Sequence, residues 1–302
     1  MLINFKRVHP EDREAYEAVL AASSPRGCEY TFANLCMWGR QEIAFLHGCI
    51  AIFAHFEGRS VYGYPIGSGD RREVIRLMME DAKQRGIPCR IGSLAEADRE
   101  EMARWFPEEF LLTEDRDGQD YVYDISDLAD LKGRKYQRKR NHVNRFRAIH
   151  EDYTVEPLTE ENMEQAKKLV YDWYQRKSQS DTDFLLEQFA FDRAFRHFDA
   201  LKMEGLILKI AGEPVAMTMG SFMTPDTVDV HFEKARDDID GAYAAINSEF
   251  ARYLRKKYPQ VKYLDREDDM GLEGLRKAKL SYNPHHMVEK HRAYLREDLH
   301  DS

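Results

Sequence analysis

The sequence predicts an α/β fold in which two domains, each built on a mixed sheet, follow one another along the chain. At 302 residues the chain is longer than the ~100–200 residues usual for one domain. A hydrophobic content of 43% with 12% aromatic residues is typical of globular proteins and excludes a disordered chain. The order of helix, hairpin, strand and helix in the first half returns in the second. We therefore place the domains at residues 1–130 and 131–302.

The first half has a local signal for each element. Residues 9–22 favour a helix, because Pro10 is followed by two acids that suit a helix N-terminus. Two runs rich in Ile, Phe, Val and Tyr meet near Gly58 and predict a hairpin. The remaining elements are expected as a helix at 71–85 ended by Gly86, a strand at 89–94, a helix at 96–105 and a strand at 120–125.

The second half repeats this order. Its hairpin is predicted at 205–222, with the turn marked by Gly212 and Pro214. Strict alternation of apolar and polar residues at 227–234 predicts a strand with one core face. The remaining elements are expected as a helix at 241–257, a strand from 261 that runs into an acidic loop, a helix at 270–280 and a closing strand at 285–294.

The sequence also excludes several classes of protein. No apolar run approaches the ~18–20 residues needed to span a bilayer, and the N-terminus lacks the apolar core of a signal peptide. We therefore expect a cytoplasmic protein without an integral membrane segment. The four cysteines lack metal-ligand spacing and are expected to be free, buried thiols.

One segment carries most of the information about partners. Residues 132–147 contain eight Lys or Arg and no acid, in a chain whose net charge is −9. Such an asymmetry localises the attraction for a phosphate-rich partner, and tRNA is the partner we consider. The alternative is a solvated basic helix that pairs with the acidic remainder of the chain. The candidate phosphate- and RNA-binding residues are Lys135, Arg138, Lys139, Arg140 and Asn141.

The polar face of the strand at 227–234 is the first candidate for catalysis. Asp229, His231 and Glu233 alternate with apolar residues, so their side chains project to one side of the sheet. His231 or Glu233 is suited to take a proton from an attacking amine, and Asp229 is a candidate for substrate binding. The alternative is an ordinary polar strand face.

The acidic loop after the next strand is the second candidate. Four acids, Asp265, Glu267, Asp268 and Asp269, surround Arg266 at the carboxyl end of a strand, where α/β sheets place ligand-binding groups. Their negative charge favours a donor that carries an amino group. The alternative is an ion-pair network held together by Arg266.

Further candidates lie on the last two helices. Arg276 and Lys279 share a helix face and are candidates for holding a phosphate or carboxylate. Asn247 is a candidate for a hydrogen bond to the acyl donor, or else a solvent-facing residue. His285 and His286 are adjacent in a predicted strand and would point to opposite faces, so we predict no metal site.

Three sequence blocks together carry a family resemblance. They are LKGRKYQRKRNHVNRF, VHFEKARDDIDGAYAAIN and YLDREDDMGLEGLRKAKLSYNP. With the order of elements, they resemble bacterial proteins related to the C-terminal domain of phosphatidylglycerol lysyltransferase, which contain two tandem domains of the Gcn5-related N-acetyltransferase (GNAT) type. The similarity covers nearly the whole chain.

The resemblance implies transfer of an acyl or aminoacyl group to an amine or hydroxyl, with Tyr282 as the acid for the leaving group. The implied donor is aminoacyl-tRNA or acyl-CoA, the acceptor a small molecule or peptide, and no cofactor is tightly bound. The loop 236–242 contains three acids where acetyltransferases bind pyrophosphate, and this disfavours coenzyme A.

The resulting hypothesis is direct attack of the acceptor on the donor, without a covalent enzyme intermediate. The second domain would hold the site, and the first would be a scaffold. The alternatives are a non-catalytic ligand- or RNA-binding degenerate transferase and an acetyl-CoA-dependent N-acetyltransferase.

Overall fold

The structure is a computed structural model that describes residues 2–23, 27–56, 58–177 and 182–299. The chain forms two compact units. Unit 1 comprises Met1–Asp120 and Val288–Ser302, and unit 2 comprises Tyr121–Met287. Across the described residues, no helix combines the length and apolar character needed to cross a membrane.

Unit 1 is a mixed sheet with helices. Its elements up to residue 114 are β1 (Lys6–Arg7), α1 (Arg13–Leu20), α2 (Phe32–Trp38), β2 (Gln41–Leu46), β3 (Cys49–Phe56), β4 (Arg59–Gly67), α3 (Arg71–Arg85), β5 (Arg90–Leu94), α4 (Glu96–Trp105) and β6 (Phe110–Glu114). The predicted helix α3 has the expected bounds. The Asp70 side chain accepts a hydrogen bond from the backbone N–H of Glu73 at its start, and Gly86, with φ of 67°, ends it.

Unit 2, like unit 1, consists of a mixed sheet with helices. Its elements are β7 (Asp120–Asp124), α5 (Ile125–Asp130), α6 (Gln137–Ile149), β8 (Thr154–Pro157), α7 (Glu160–Lys177), α8 (Thr182–Arg196), β9 (Glu204–Ile210), β10 (Glu213–Thr224), β11 (Thr227–Ala235), α9 (Ala242–Lys257), β12 (Tyr263–Asp265), α10 (Glu273–Leu280) and β13 (His286–Val288). The predicted hairpin β9–β10 is confirmed, and its turn residues Ala211 and Gly212 both have positive φ, 49° and 82°. Two positive φ values are typical of the type I′ hairpin turn.

Each sheet contains a parallel strand pair that is flanked by antiparallel pairs. Among the described strands of unit 2 the order is β13-β7-β12-β11-β10-β9-β8, and β11 and β12 are parallel. Helix α9 fills the core of this unit with Ile246, Phe250 and Leu254, which are at most 1% exposed. In unit 1 the parallel pair is β4 and β5. The mixed α/β class is confirmed.

The C-terminal segment differs from its prediction. The expected strand at 285–294 is divided into β13, which belongs to the sheet of unit 2, and β14 (His291–Leu295), which lies between β5 and β6 in the sheet of unit 1. Residues 121–130, placed in the first domain by the sequence, lie in unit 2. Periodicity identifies a strand but not its partners, because pairing depends on distant backbone groups.

A buried ion pair accompanies the insertion of β14. The ammonium of Lys290 lies 2.8 Å from Oδ1 of Asp120 and 2.7 Å from Oε2 of Glu29. Asp120 is fully buried, and the side chain of Lys290 is 7% exposed. Asp120 also accepts a hydrogen bond from the backbone N–H of Cys28 at 2.8 Å. The pair thus connects three distant parts of the sequence within unit 1.

Replacement of Lys290 tests this connection. Lys290→Ala is expected to lower the free energy of unfolding of unit 1 by about 3–5 kcal/mol, because it leaves the buried Asp120 carboxylate without its cation. Arg292→Ala is the matched control on β14: its ion pair with Asp115 is 49% exposed on the arginine side, and its loss should cost about 0–1 kcal/mol. Chemical denaturation followed by circular dichroism measures both values, and equal costs would contradict the prediction.

Candidate active site

The polar face of β11 is buried in unit 2. Asp229 is 0% exposed, His231 is 9% exposed, and the side chain of Glu233 is 9% exposed. β11 lies between β10 and β12 in the sheet, which places these side chains in the interior of the unit rather than on an ordinary polar surface. Buried polar groups require partners, and those partners define the site.

Glu233 is held by two donors. Its Oε1 accepts a hydrogen bond from the guanidinium of Arg266 at 2.9 Å, and its Oε2 accepts one from the amide of Asn247 at 3.2 Å. Asn247 is 3% exposed, so it faces the site and not solvent. These two donors, one of them a cation, fix the position and orientation of the Glu233 carboxyl group.

Arg266 lies between two tyrosine rings. Its guanidinium carbon is 5.7 Å from the ring centroid of Tyr123 and 5.1 Å from that of Tyr282. Burial raises the pKa of Tyr282 to about 12, although the nearby Arg266 acts in the opposite direction. Among the described residues the Tyr282 hydroxyl has no hydrogen-bond partner. A protonated phenol beside Glu233 and Arg266 is suited to donate a proton to a leaving oxygen.

Lys139 joins this group from helix α6. Its ammonium is 3.9 Å from the ring centroid of Tyr282, a cation–π distance. Burial, followed by the charges of Arg266 and Arg138, lowers the pKa of Lys139 to about 8. The sequence placed Lys139 with the surface cations of the basic segment. Its contacts place it in what we call the transfer cluster, which consists of Lys139, Glu233, Asn247, Arg266 and Tyr282.

The other cations of the basic segment have different environments. Arg140 donates to the backbone carbonyl oxygens of Leu131 and Gly133, a contact that fixes the start of α6. Lys135 pairs with Asp127 at 2.9 Å but remains exposed. An open depression on this surface is lined by Arg134, Lys135, Gln137, Arg138, Asn141, His142 and Arg145. The surface of α6 therefore offers cations to an anionic partner beside the transfer cluster.

Helix α6 also covers the start of α9. Gly241 precedes α9 with φ of 82°, and a Cβ atom there would lie 2.7 Å from the carbonyl oxygen of His142 on α6. Asp240 pairs with Arg145 at 3.0 Å. Helix α6 thus packs against the N-terminus of α9, the kind of position at which a pyrophosphate binds in other proteins.

His231 belongs to a separate, deeper network. Its Nε2 lies 2.8 Å from Oγ of Ser221, and its Nδ1 lies 3.2 Å from Oε1 of Glu267 and 3.5 Å from Oδ2 of Asp229. The side chain is 1% exposed, so His231 does not reach an open surface as the prediction of a catalytic base requires. Ser221 is not among the residues predicted from the sequence, because only the register of β10 with β11 brings it to His231.

The loop after β12 is held by its own contacts. Arg276 forms two hydrogen bonds of 2.8 Å to Asp269, and Lys279 donates to the carbonyl oxygens of Arg266 and Asp268. The Arg276 guanidinium holds the pKa of Asp269 well below its usual range. Arg276 and Lys279, predicted to hold a substrate anion, thus stabilise the loop.

Two acids of the loop bind its backbone. Asp265 accepts a hydrogen bond from the N–H of Glu267 at 2.7 Å, and Asp268 accepts one from the N–H of Met270 at 3.0 Å. These contacts are hydrogen bonds from backbone N–H groups and differ from the ion pairs with Arg266 that the alternative interpretation expected. Arg266 is the member that reaches the transfer cluster.

His285 and His286 correct one expectation. Their Nδ1 atoms lie 2.9 Å apart, whereas adjacent strand residues were expected to point to opposite faces. The reason is that β13 begins at His286, so His285 does not follow the alternation of a strand.

Comparison with known proteins identifies the family. The model of the family described as phosphatidylglycerol lysyltransferase, C-terminal, matches residues 20–294. A solved structure of a conserved protein of unknown function from Bacteroides thetaiotaomicron is 38% identical with a TM-score of 0.90, and the match covers 98% of this chain and 100% of that one. An uncharacterised protein of Mycoplasmoides gallisepticum is 24% identical over 177 residues, and this match spans 57% of the chain but only 54% of that protein.

More distant structures show the fold. L-PGS from Bacillus licheniformis is 18% identical with a TM-score of 0.68, and the match covers 96% of this chain and 93% of that one. A tandem GNAT protein from the clavulanic acid biosynthesis pathway is 10% identical with a TM-score of 0.52, covering 96% of this chain and 98% of that one. The chain therefore belongs to the family of the phosphatidylglycerol lysyltransferase C-terminal domain and consists of two tandem GNAT-like domains.

Proposed function

We propose that this chain is an aminoacyltransferase that takes its acyl group from aminoacyl-tRNA and delivers it to an amine or hydroxyl of a small molecule or peptide. The site is the transfer cluster of unit 2, and unit 1 serves as a scaffold. The observation that carries the proposal is the position of helix α6, which offers exposed cations and also inserts Lys139 against Tyr282.

The two faces of α6 suit the two parts of a charged tRNA. Exposed cations such as Arg138 suit the phosphates of the acceptor stem, which supply most of the sequence-independent affinity for a nucleic acid. Lys139, next to Tyr282 and Arg266, suits the terminal nucleotide near the ester bond. Family membership supports this donor, since the characterised lysyltransferases use aminoacyl-tRNA.

The chemistry follows from the contacts of the cluster. The acceptor nitrogen or oxygen forms a bond to the aminoacyl carbonyl carbon, and the ester bond to the ribose oxygen breaks. Glu233 takes the proton from the acceptor, while Tyr282 donates its proton to the leaving ribose oxygen and is reprotonated from solvent. Arg266 and Lys139 stabilise the negative charge that develops on the oxygens in the transition state.

An acetyl-CoA-dependent reaction is the second candidate, because the GNAT fold commonly supports it. The packing of α6 against Gly241 and the pairing of Asp240 with Arg145 argue against it. A pyrophosphate at the start of α9 would have to displace this helix and its ion pair.

A salt titration of binding to bulk tRNA tests the donor. The variant Arg134→Ala/Arg138→Ala is expected to bind more weakly and to lower the log–log salt slope by about 1.4–1.8, since each lost phosphate contact contributes about 0.7–0.9. The control variant Lys256→Ala/Lys262→Ala removes the same charge from exposed positions of unit 2 and should leave the slope unchanged. A slope that changes equally in both variants would show a diffuse attraction and contradict the assigned surface.

Glu233→Gln tests catalysis. The amide keeps the size of the side chain but does not take up a proton, so the single-turnover transfer rate should fall by about 10²–10⁴-fold. The Kd for aminoacyl-tRNA should stay within a few-fold. Glu249→Gln is the control. Glu249 lies on α9, the helix that also carries Asn247, but it pairs with Arg147 of α6 and is not part of the transfer cluster. Binding of tRNA without any turnover by the wild type would favour the non-catalytic alternative.

The pH dependence of donor binding tests Lys139. A lysine whose pKa is lowered to about 8 is charged below that pH and loses its charge as the pH rises through it. Affinity for aminoacyl-tRNA should therefore fall by about tenfold between pH 7 and pH 9, the loss expected for one charge-assisted contact. Lys139→Arg, which stays charged, should remove this step. A step of equal size in the arginine variant would assign the titration to another group.

A further inference from the structure

We propose that His231, Asp229 and Glu267 form a binding site for one divalent transition-metal ion, with Zn²⁺ as the ion that the ligand set favours. The site lies in unit 2 and does not depend on the proposed transfer reaction. The sequence predicts no metal site there: Glu267 is 36 residues from His231 along the chain, and only the loop after β12 brings the two residues together.

The donor atoms have the separations of a coordination site. Nδ1 of His231 lies 3.2 Å from Oε1 of Glu267 and 3.5 Å from Oδ2 of Asp229. In tetrahedral zinc sites the bonds to nitrogen and oxygen are about 2.0–2.2 Å, so neighbouring donor atoms are about 3.3–3.6 Å apart. Ligand atoms of all three residues lie within 4.8 Å of one another. Only small shifts would bring them around a single ion.

Ser221 fixes the orientation of the His231 ring. Its hydroxyl lies 2.8 Å from Nε2 of His231, and it stands on β10 opposite Asp229 of β11. A metal-binding histidine is usually held at its other ring nitrogen by a hydrogen bond that fixes the ring. With Nε2–H directed to Ser221, the lone pair of Nδ1 is directed at the two carboxylates.

The electrostatics of the interior favour a cation at this point. Asp229 and Asp265 are register partners on the parallel strands β11 and β12, and both are fully buried. Glu267 adds a third carboxylate, and its N–H is held by Asp265 at 2.7 Å. Buried carboxylates of like charge repel one another, and a divalent ion among three donors lowers that repulsion.

The contacts of Ser221 and His231 with the acids also resemble a Ser–His–acid catalytic triad. The burial of these residues favours a metal site over a catalytic triad. Ser221 and the side chain of His231 are each 1% exposed. A nucleophilic hydroxyl must reach a substrate carbonyl, whereas a structural metal ion needs only to enter once. Glu267, at 24% exposure, provides the side from which an ion enters.

Calorimetric titration of the chelator-treated full chain with Zn²⁺ tests the site. One ion per chain is expected. Glu267→Gln removes an anionic ligand at a partly exposed position and should weaken Zn²⁺ binding at least about tenfold. Ser221→Ala should weaken it about 10–100-fold, the usual effect of losing a supporting hydrogen bond. Circular dichroism checks that both variants are folded, and either folded variant is sufficient for the test.

The control is the double variant His285→Ala/His286→Ala. In the unsubstituted chain the Nδ1 atoms of these two histidines lie 2.9 Å apart, so they offer a competing position for adventitious Zn²⁺. This variant should bind Zn²⁺ as the wild type does, and Zn²⁺ should raise the Tm of the wild type but not of Glu267→Gln. Loss of the ion in the double variant, or no Zn²⁺ binding by the wild type at ~10 μM ion, would overturn the proposal. Tighter binding of Mn²⁺ than of Zn²⁺ would overturn the assignment to zinc.

Discussion

The buried ion pair between Glu233 and Arg266 is the interaction on which the organisation of unit 2 depends. It connects β11 to the loop after β12, and through Asn247 it reaches helix α9. Removing one partner of such a pair leaves a buried charge, whereas the intact pair fixes both elements in one arrangement. Because Arg266 also packs against Tyr282, the same interaction positions the groups to which we assign the chemistry.

Around this pair, the loop 265–269 is stabilised from within. Asp269 and Arg276 form a bidentate contact, and Glu267 adopts a positive φ of 57°. A non-glycine residue in this conformation is strained, and such strain persists only where surrounding contacts hold it. The loop thus holds Arg266 towards the transfer cluster and Glu267 towards His231, so the two proposed sites of unit 2 share one rigid support.

Helix α6 gives this GNAT-like unit its particular character. Its apolar residues Val143 and Phe146 are buried, and its backbone packs against Gly241 at the start of α9. Atoms of α6 therefore lie against the N-terminus of α9, while cations on the exposed side of α6 line an open depression. A covered helix N-terminus and an exposed basic surface agree better with the proposed donor, a tRNA, than with a small phosphorylated cofactor.

The sequence by itself determined the elements and the residue types of the site. Periodicity and turn residues located α3, α9 and the hairpin β9–β10, because these signals are local and act within one or two turns of chain. The charge of the segment 132–147 and the polar alternation of β11 are likewise readable without a structure. The family followed from three contiguous blocks of sequence.

Tertiary structure decided which of these residues meet. Lys139 lies against the ring of Tyr282 and not among the surface cations, and the register of two strands places Ser221 beside His231. Arg276 binds Asp269 instead of facing a substrate. The strand β14 returns to the first sheet. Each outcome depends on contacts between residues distant in sequence, and neither propensity nor spacing encodes such pairings, because burial and strand register are properties of the folded chain as a whole.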